Sequence, residues 1–175
     1  MRAVLGGVMA AVAVTASAAA ETAWRRFDFP EAGFSVEAPA TLRRASEEAG
    51  PGGQQMVAYL ADVDGVRFIV ATLDGRTMPA DAWESDPDVM AGWVVQGATS
   101  GARVVSNDSF AVPGGAGREF RSVKDGLSMR VRVYVRRPWV VQIGASATED
   151  QAARLEGPEL ARLFQSMALA NRQAI

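Results

Sequence analysis

Two absences limit the chemistry available to this chain. Its 175 residues include no histidine and no cysteine. Histidine is the commonest general base and transition-metal ligand, and cysteine supplies thiolate nucleophiles and disulfides. The sequence therefore excludes Ser–His–Asp triads, Cys–His pairs and the usual zinc sites. We expect no cofactor, and no enzymatic activity built on these groups.

A row of arginines is the most distinctive polar pattern. In the predicted strand 127–136, alternation brings three arginines and a tyrosine onto one face. Guanidinium groups beside an aromatic ring suit the capture of a carboxylate or phosphate, on a protein or a small anionic ligand. The alternative is a solvated face whose arginines pair with Glu119 and other acids, each pair contributing about 0–1 kcal/mol. The candidate face consists of Arg121, Arg130, Arg132, Tyr134, Arg136 and, at the next hairpin tip, Trp139.

Two further motifs are predicted to be hairpin turns rather than ligand sites. Asp62-Val63-Asp64-Gly65 resembles the start of a Ca²⁺ loop but lacks its later ligands, including the glutamate at position twelve. The glycine-rich segment 114–118 is followed neither by a Lys-Ser/Thr pair nor by a predicted helix, so it fits no phosphate-binding loop. No metal site is expected.

Other residues keep an enzymatic alternative open. Two carboxyl groups suffice for glycoside hydrolysis, and Glu119, Asp81 and Glu84 are possible members of such a pair. Nothing in their spacing selects two of them. A carboxylate-based hydrolase is therefore the weaker hypothesis.

Strands dominate the elements that must position these residues. Alternating patterns and turn signals separate the strands, with a polar, glycine-rich loop expected over 43–53. Both faces of Phe68–Leu73 are largely apolar, which predicts a central strand. The predicted strands are 33–39, 55–60, 66–73, 102–106, 109–112, 118–123, 127–136 and 140–148.

Helices are predicted in the middle and at the end of the chain. Asp86-Pro87 is a typical helix start, and the spacing after it places Met90, Trp93, Val94 and Gly97 on one face, with Trp93 in the core. A helix over 148–156 would be capped by Thr148. Another begins at Pro158 and carries its apolar residues on one face: Leu160, Leu163, Phe164 and Met167.

One strand register can also be predicted. If the apolar faces of neighbouring strands coincide, Val133 lies opposite Ile143, which requires an odd-length loop around Pro138 or a bulge. An even loop would place Val133 opposite Gln142. We expect the odd loop.

Strands, a helix, more strands and a final helix predict a single α+β domain over 21–175, an antiparallel β-sheet flanked by helices. Gly33-Phe34-Ser35-Val36 with Pro39, the long hairpin with Tyr134, and Leu163-Phe164-Gln165-Ser166-Met167 resemble the PsbP-like and DcrB-like superfamily. The resemblance covers residues 24–169. It implies an α/β/α sandwich found in exported accessory proteins, usually binding or assembly factors, and it transfers no functional residue.

The first twenty residues have the pattern of an export signal. Arg2 precedes a stretch without charge from Ala3 to Ala20, which ends in small residues. Its glycines, Thr15 and Ser17 make a membrane anchor the less favoured alternative. We expect cleavage after Ala18 or Ala20 and a periplasmic or secreted protein with no membrane span.

Composition favours a protein that binds another molecule over a nucleic-acid-binding protein or an enzyme. The chain has 18 basic and 20 acidic residues and a net charge of −2, which does not suit a nucleic-acid-binding protein. The leading hypothesis is an exported, non-enzymatic binding or assembly accessory protein of the cell envelope. The alternatives are a small-ligand carrier with a pocket between sheet and helices, or the hydrolase. The sequence leaves ligand and oligomeric state open.

The export signal gives the first prediction. Protein recovered from the envelope or culture medium should begin at Ala19 or Glu21, because signal peptidase cuts after small residues at −3 and −1. Intact mass measurement of the full-length gene product tests this. Recovery of the chain with its first twenty residues attached would contradict it.

Overall fold

The computed structural model describes residues 23–49, 55–78 and 84–170, so the predicted export signal and Asp81 lie outside the described residues. Ten strands, two α-helices and two 3₁₀ segments form in these ranges. The strands are β1 Trp24–Phe29, β2 Phe34–Pro39, β3 Arg43–Ala49, β4 Gln55–Val63, β5 Val66–Asp74, β6 Arg103–Val112, β7 Gly115–Lys124, β8 Leu127–Arg136, β9 Trp139–Thr148 and β10 Ala168–Leu169. The helices are α1 Pro87–Ala98 and α2 Pro158–Gln165, and the 3₁₀ segments are Gly75–Thr77 and Glu149–Glu156.

Seven antiparallel strands form the main sheet, in the order β3-β4-β5-β9-β8-β7-β6. A small sheet, β1-β2-β10, packs on one face of it beside α2 and the Glu149–Glu156 segment, and α1 packs on the other face. The predicted α+β fold, a sheet with helices on both faces, is confirmed. The small sheet was not predicted.

Two hydrophobic cores lie on opposite faces of the main sheet. The larger core joins β5 and β9 to the small sheet and α2, and includes Val70, Ile143 and Phe164. The smaller core lies under α1 and includes Phe120, Val133 and Val140. Because β5 has buried residues on both faces, the prediction of a central strand is confirmed.

Hairpin turns connect the strands where glycine-containing pairs predict them. Asp64 and Gly65, with φ of 49° and 81°, join β4 to β5, and Asp62 is paired with Arg67 at 2.8 Å. Gly114, with φ of 69°, lies between β6 and β7. Positive φ at these positions is the geometry of tight hairpin turns, so both segments are turns, as expected.

The predicted register of β8 and β9 was wrong. The strands are joined by the two-residue turn Arg137-Pro138, and Val133 lies opposite Gln142 rather than Ile143. The expectation assumed that only one face of each strand is buried. Both faces of β9 are buried, so Val140 joins the valines under α1 while Ile143 lies on the arginine face, beneath α2.

The predicted buried face of α1 was right at Met90 and Val94 but wrong at Trp93. Met90, Ala91 and Val95 are buried, whereas the Trp93 side chain is 47% exposed. Asp86 accepts the Asp88 backbone N–H and caps the helix as predicted. The apolar residues of α1 surround more than one face, so spacing alone did not select the face in contact with the sheet.

Three boundaries differ from the sequence prediction. Residues Arg43–Ala49 form β3, an edge strand, where a loop was expected over 43–53. A single strand, β6, replaces the two expected over 102–112 and contains a register shift between Val104 and Ser106. Glu149–Glu156 is a 3₁₀ segment rather than an α-helix, and the Thr148 side chain makes no capping hydrogen bond.

A matched pair of truncations tests the orientation of α1. Met90→Ala should lower the free energy of unfolding by about 2–5 kcal/mol because it opens a cavity under the helix. Trp93→Ala should cost less than about 1 kcal/mol, since the ring is half exposed. Urea unfolding measures both. A larger loss for Trp93→Ala would contradict the orientation.

Candidate functional site

The predicted arginine face forms on the sheet side that carries the larger core. In the register of β7 and β8, Arg121 lies opposite Arg130 and Glu119 opposite Arg132. Arg136 lies opposite Trp139 at the end of the β8–β9 hairpin. The structure therefore places the six predicted residues on one face. Glu119, which the sequence suggested as a pairing acid or a hydrolase group, lies among them.

Glu119 binds two of the arginines. Its Oε1 accepts a hydrogen bond from Arg130 Nε at 2.8 Å, and its Oε2 accepts one from Arg132 Nε at 2.7 Å. All three side chains are at least two-thirds buried, with Glu119 only 16% exposed. Hydrogen bonds between charged, partly buried groups are among the stronger polar contacts in proteins.

A second carboxylate extends the pairing towards solvent. Glu156 accepts from Arg130 Nη1 at 2.9 Å and lies 2.6 Å from Arg121 Nη1. Arg130 also donates to the backbone oxygen of Leu155 at 3.1 Å. We call the five charged residues the arginine network: Glu119, Arg121, Arg130, Arg132 and Glu156.

Aromatic rings cover the inner part of the arginine network. The Arg132 guanidinium carbon lies 4.4 Å from the centre of the Phe164 ring and 5.4 Å from that of Phe110. The Phe110 ring lies directly over Gly117, where any side chain would collide with it, and it meets Tyr134 edge-on at 5.2 Å. A cation over an aromatic face is stabilised further when water is excluded.

The arginine network keeps Glu119 ionised. Burial alone raises the pKa of this carboxyl, but the hydrogen bonds from Arg132 and Arg130 outweigh it, and the net pKa lies below the ordinary value. Burial raises the pKa of Tyr134, an effect that the nearby Arg132 opposes only in part. At neutral pH Glu119 is thus an anion and Tyr134 a neutral hydroxyl.

The contacts of the arginine network hold α2 and the Glu149–Glu156 segment against the sheet. Arg136, outside the network, donates to the backbone oxygen of Ala170 at 2.6 Å. Arg121, Arg130 and Arg132 therefore already pair with acids, as the alternative interpretation expected, but Arg130 and Arg132 are largely buried rather than solvated. Capture of an anion by this face stays a prediction, and it would have to compete with Glu119 and Glu156.

A separate cleft opens at Trp139, on the same side of the main sheet. It has a volume of about 450 Å³ and lies between the turn that joins β1 to β2 and the neighbouring strands β4, β5 and β9. Its lining residues are Asp28, Phe29, Pro30, Glu31, Ala32, Arg44, Val57, Tyr59, Thr72, Asp74, Arg76 and Trp139. We call this space the aromatic cleft.

The aromatic walls of the cleft are fixed by packing behind them. Phe29 stacks on Phe34 with ring centres 4.5 Å apart and meets Tyr59 edge-on at 5.2 Å. Phe34 is buried in the larger core, so the small sheet anchors this wall. Trp139 lies at the tip of the β8–β9 hairpin, as predicted, and is half-buried beside the cleft.

A short 3₁₀ segment places an arginine at the cleft. Asp74 accepts the Arg76 backbone N–H at 3.0 Å and its Nη2 at 2.7 Å, and these bonds lower the pKa of the Asp74 carboxyl. The Gly75 N–H donates to Pro138 O at 2.8 Å, tying the segment to the turn before Trp139. The Arg76 guanidinium then lies 5.6 Å from the centre of the Trp139 ring.

Two polar atoms on residues that line the cleft have no partner within the described ranges. Neither the Tyr59 hydroxyl nor the Trp139 indole N–H makes a hydrogen bond to any described residue, and neither is sealed from solvent. Groups of this kind are available to a ligand, and a small number of them among aromatic walls is typical of binding pockets.

Sequence reasoning found one residue of the cleft and missed the rest. Trp139 was selected, but Tyr59, Phe29 and Arg76 come from separate segments that only the small sheet brings together. The pocket expected between sheet and helices is not where the cleft lies. The space under α2 is filled by Leu163 and Phe164.

Neither the family models nor the curated protein sequences contain a match to the chain. Among solved structures, it is similar to cyanobacterial PsbP (CyanoP) from Synechocystis, with a TM-score of 0.59 and 13% identity over 93% of this chain and 98% of that one. The chain thus has the PsbP-like fold, and the predicted resemblance is confirmed at that level.

Two more distant similarities were found. One is to PA94 from Pseudomonas aeruginosa, a protein of unknown function, with a TM-score of 0.46 and 18% identity over 86% of this chain and 99% of that one. The other is to LpqN, involved in cell envelope biogenesis of Mycobacterium tuberculosis, with a TM-score of 0.43 and 14% identity over 78% and 83%.

The described ranges contain no group of three or more acidic side chains placed to hold a metal ion. None of the helices in these ranges is long and apolar enough to cross a bilayer.

Replacement of the central carboxylate tests the arginine network. Glu119→Gln should cost about 1–3 kcal/mol at pH 7, because Arg130 and Arg132 lose their shared anion. Since folding lowers the Glu119 pKa, its contribution is complete above the unfolded pKa and is lost as pH falls through the folded pKa. The gap between wild type and variant should therefore close on acidification.

Urea unfolding between neutral and acidic pH measures both effects. The control is Glu156→Gln, whose carboxylate is 50% exposed and should contribute less than about 1 kcal/mol. A gap for Glu119→Gln that stays constant with pH would contradict the assigned ionisation.

Proposed function

We propose that this chain is an exported, non-enzymatic binding protein of the cell envelope and that the aromatic cleft is its recognition site. The observation that carries the proposal is a pair of polar atoms on residues that line the cleft, the Tyr59 hydroxyl and the Trp139 indole N–H, which have no hydrogen-bond partner among the described residues. A ligand that supplies acceptors to both would form these hydrogen bonds.

The size and rigidity of the aromatic cleft support recognition. Its volume of about 450 Å³ falls within the range of about 300–1,000 Å³ that is usual for small-molecule sites. The packing of Phe29 on Phe34 and the cap at Asp74 fix the walls before a ligand arrives. Preformed walls lower the entropic cost of binding.

Export to the envelope rests on the N-terminal sequence. Arg2, the uncharged stretch that follows it and the small residues before Glu21 are the pattern of a secretory signal. The similarity to cyanobacterial PsbP concerns the fold, and fold alone does not assign function. The proposed location therefore depends on the first twenty residues.

The carboxylates do not favour the hydrolase alternative. A general acid must hold a proton near neutral pH, and the arginines lower the Glu119 pKa. Glu84 is exposed and precedes α1, which packs on the face of the main sheet opposite to the arginine network. Binding without turnover is the better supported proposal.

Tryptophan signals offer a direct test of the proposed site. Envelope extract from the producing cell is separated into protein, lipid and low-molecular-weight fractions, and each is added to the ¹⁵N-labelled protein. At least one fraction should shift the indole N–H signal of Trp139. The Trp93 signal should not move, because that ring lies across the sheet from the cleft.

Two variants make the experiment specific. Tyr59→Phe, which removes one hydroxyl oxygen from the cleft, should weaken the response of the Trp139 signal about 2- to 10-fold. Trp93→Ala, the matched control, should leave it unchanged. If no fraction shifts the Trp139 signal, or if Trp93→Ala weakens binding as much, the aromatic cleft is not the recognition site.

A further inference from the structure

Charge is balanced around the aromatic cleft. Three carboxylates line it, from Asp28, Glu31 and Asp74, against the guanidiniums of Arg44 and Arg76. Asp74 is paired with Arg76, and Asp28 is paired at 3.1 Å with Arg26, which lies outside the lining. Glu31 and Arg44 are each engaged in further interactions. A charged ligand would therefore gain little net attraction here.

The cleft nevertheless offers several hydrogen-bond donors. The Tyr59 hydroxyl and the Trp139 indole N–H are two of them. Arg76 supplies a third, because Asp74 occupies its Nε and Nη2 while Nη1 has no acceptor among the described residues. The Arg76 side chain is 65% exposed, so this donor is accessible.

Acceptors lie beside these donors. A carboxylate has about four lone-pair sites, so Asp28, which accepts one hydrogen bond from Arg26 and is 70% exposed, retains capacity for hydroxyl donors. The Asp74 carboxylate already accepts from the backbone N–H, Nε and Nη2 of Arg76. Only a ligand that both donates and accepts at closely spaced positions can use this arrangement fully. Hydroxyl groups on adjacent carbons do so, since each is one donor and two acceptors.

Flat apolar walls complete the pattern. Tyr59, Trp139 and Phe29 present aromatic surface within one cleft. The face of an aromatic ring carries partial negative charge, which attracts weakly positive C–H groups. A saturated ring that bears hydroxyls at its edge and C–H bonds on its faces matches both the walls and the polar groups.

We infer that the aromatic cleft binds a neutral saccharide, one or two rings long. The inference rests on the proposed function and adds the chemical class of the ligand. In the bound state one ring face lies against Trp139 or Tyr59, and its hydroxyls bond to Arg76 and Asp28. The volume of about 450 Å³ limits the bound portion to this length.

Defined sugars test the inference on the full mature chain. The probes are glucose, galactose, cellobiose and N,N′-diacetylchitobiose, with glucuronate, glucose 6-phosphate and a proline-rich decapeptide as competitors of other classes. At least one neutral sugar should shift the Trp139 indole signal saturably with a Kd of about 1 mM or tighter. Trp139→Ala should weaken it at least 10-fold, and Trp93→Ala should not.

Each remaining outcome supports or overturns the saccharide inference. If Trp139→Ala does not fold, Tyr59→Phe takes its place, with an expected 2- to 10-fold loss. Tighter binding of glucuronate or glucose 6-phosphate than of their neutral analogues overturns the inference, and so does preference for the peptide. If an envelope fraction shifts Trp139 and no neutral sugar does, the ligand class is wrong while the recognition site stands.

Discussion

Both faces of the central strands of the main sheet are buried, and this constraint decides where the other elements lie. β9 carries Val140 into the core under α1 and Ile143 into the core under α2. A strand that is apolar on both sides needs cover on both sides. One helix suffices for the smaller core, whereas the larger one requires α2, the Glu149–Glu156 segment and the small sheet together.

Burial of the larger face also encloses charged side chains of β8. β8 places Arg130 and Arg132 where α2 descends on the sheet, and bare charges there would be costly. Glu119 on β7 solves this by accepting from both arginines, and Phe164 packs over the guanidiniums. The arginine network thus allows α2 to pack on a charged strand. The aromatic cleft forms elsewhere, where the small sheet meets β4, β5 and β9.

Local sequence patterns predicted where the strands and helices lie along the chain better than which surfaces of these elements pack together. Alternation and turn residues found most strands of the main sheet, because Asp-Gly pairs and period-two patterns report backbone geometry directly. They failed at the β8–β9 register and at Trp93, where the outcome depends on which side of the sheet is covered. Tyr59 and Arg76 lie 80 and 63 positions before Trp139, so nothing local could have joined them in a site.

Asp74 has two structural roles, one through its backbone and one through its side chain. It continues β5 opposite Trp139, and its side chain fixes the 3₁₀ segment that carries Arg76. Pro30 and Ala32, by contrast, line the cleft from a turn that pairs with no strand. Substitutions in this turn can therefore change the shape of the cleft without altering β5, whereas a substitution at Asp74 also disturbs the 3₁₀ segment that carries Arg76. The lining of the cleft can thus vary while the scaffold stays intact.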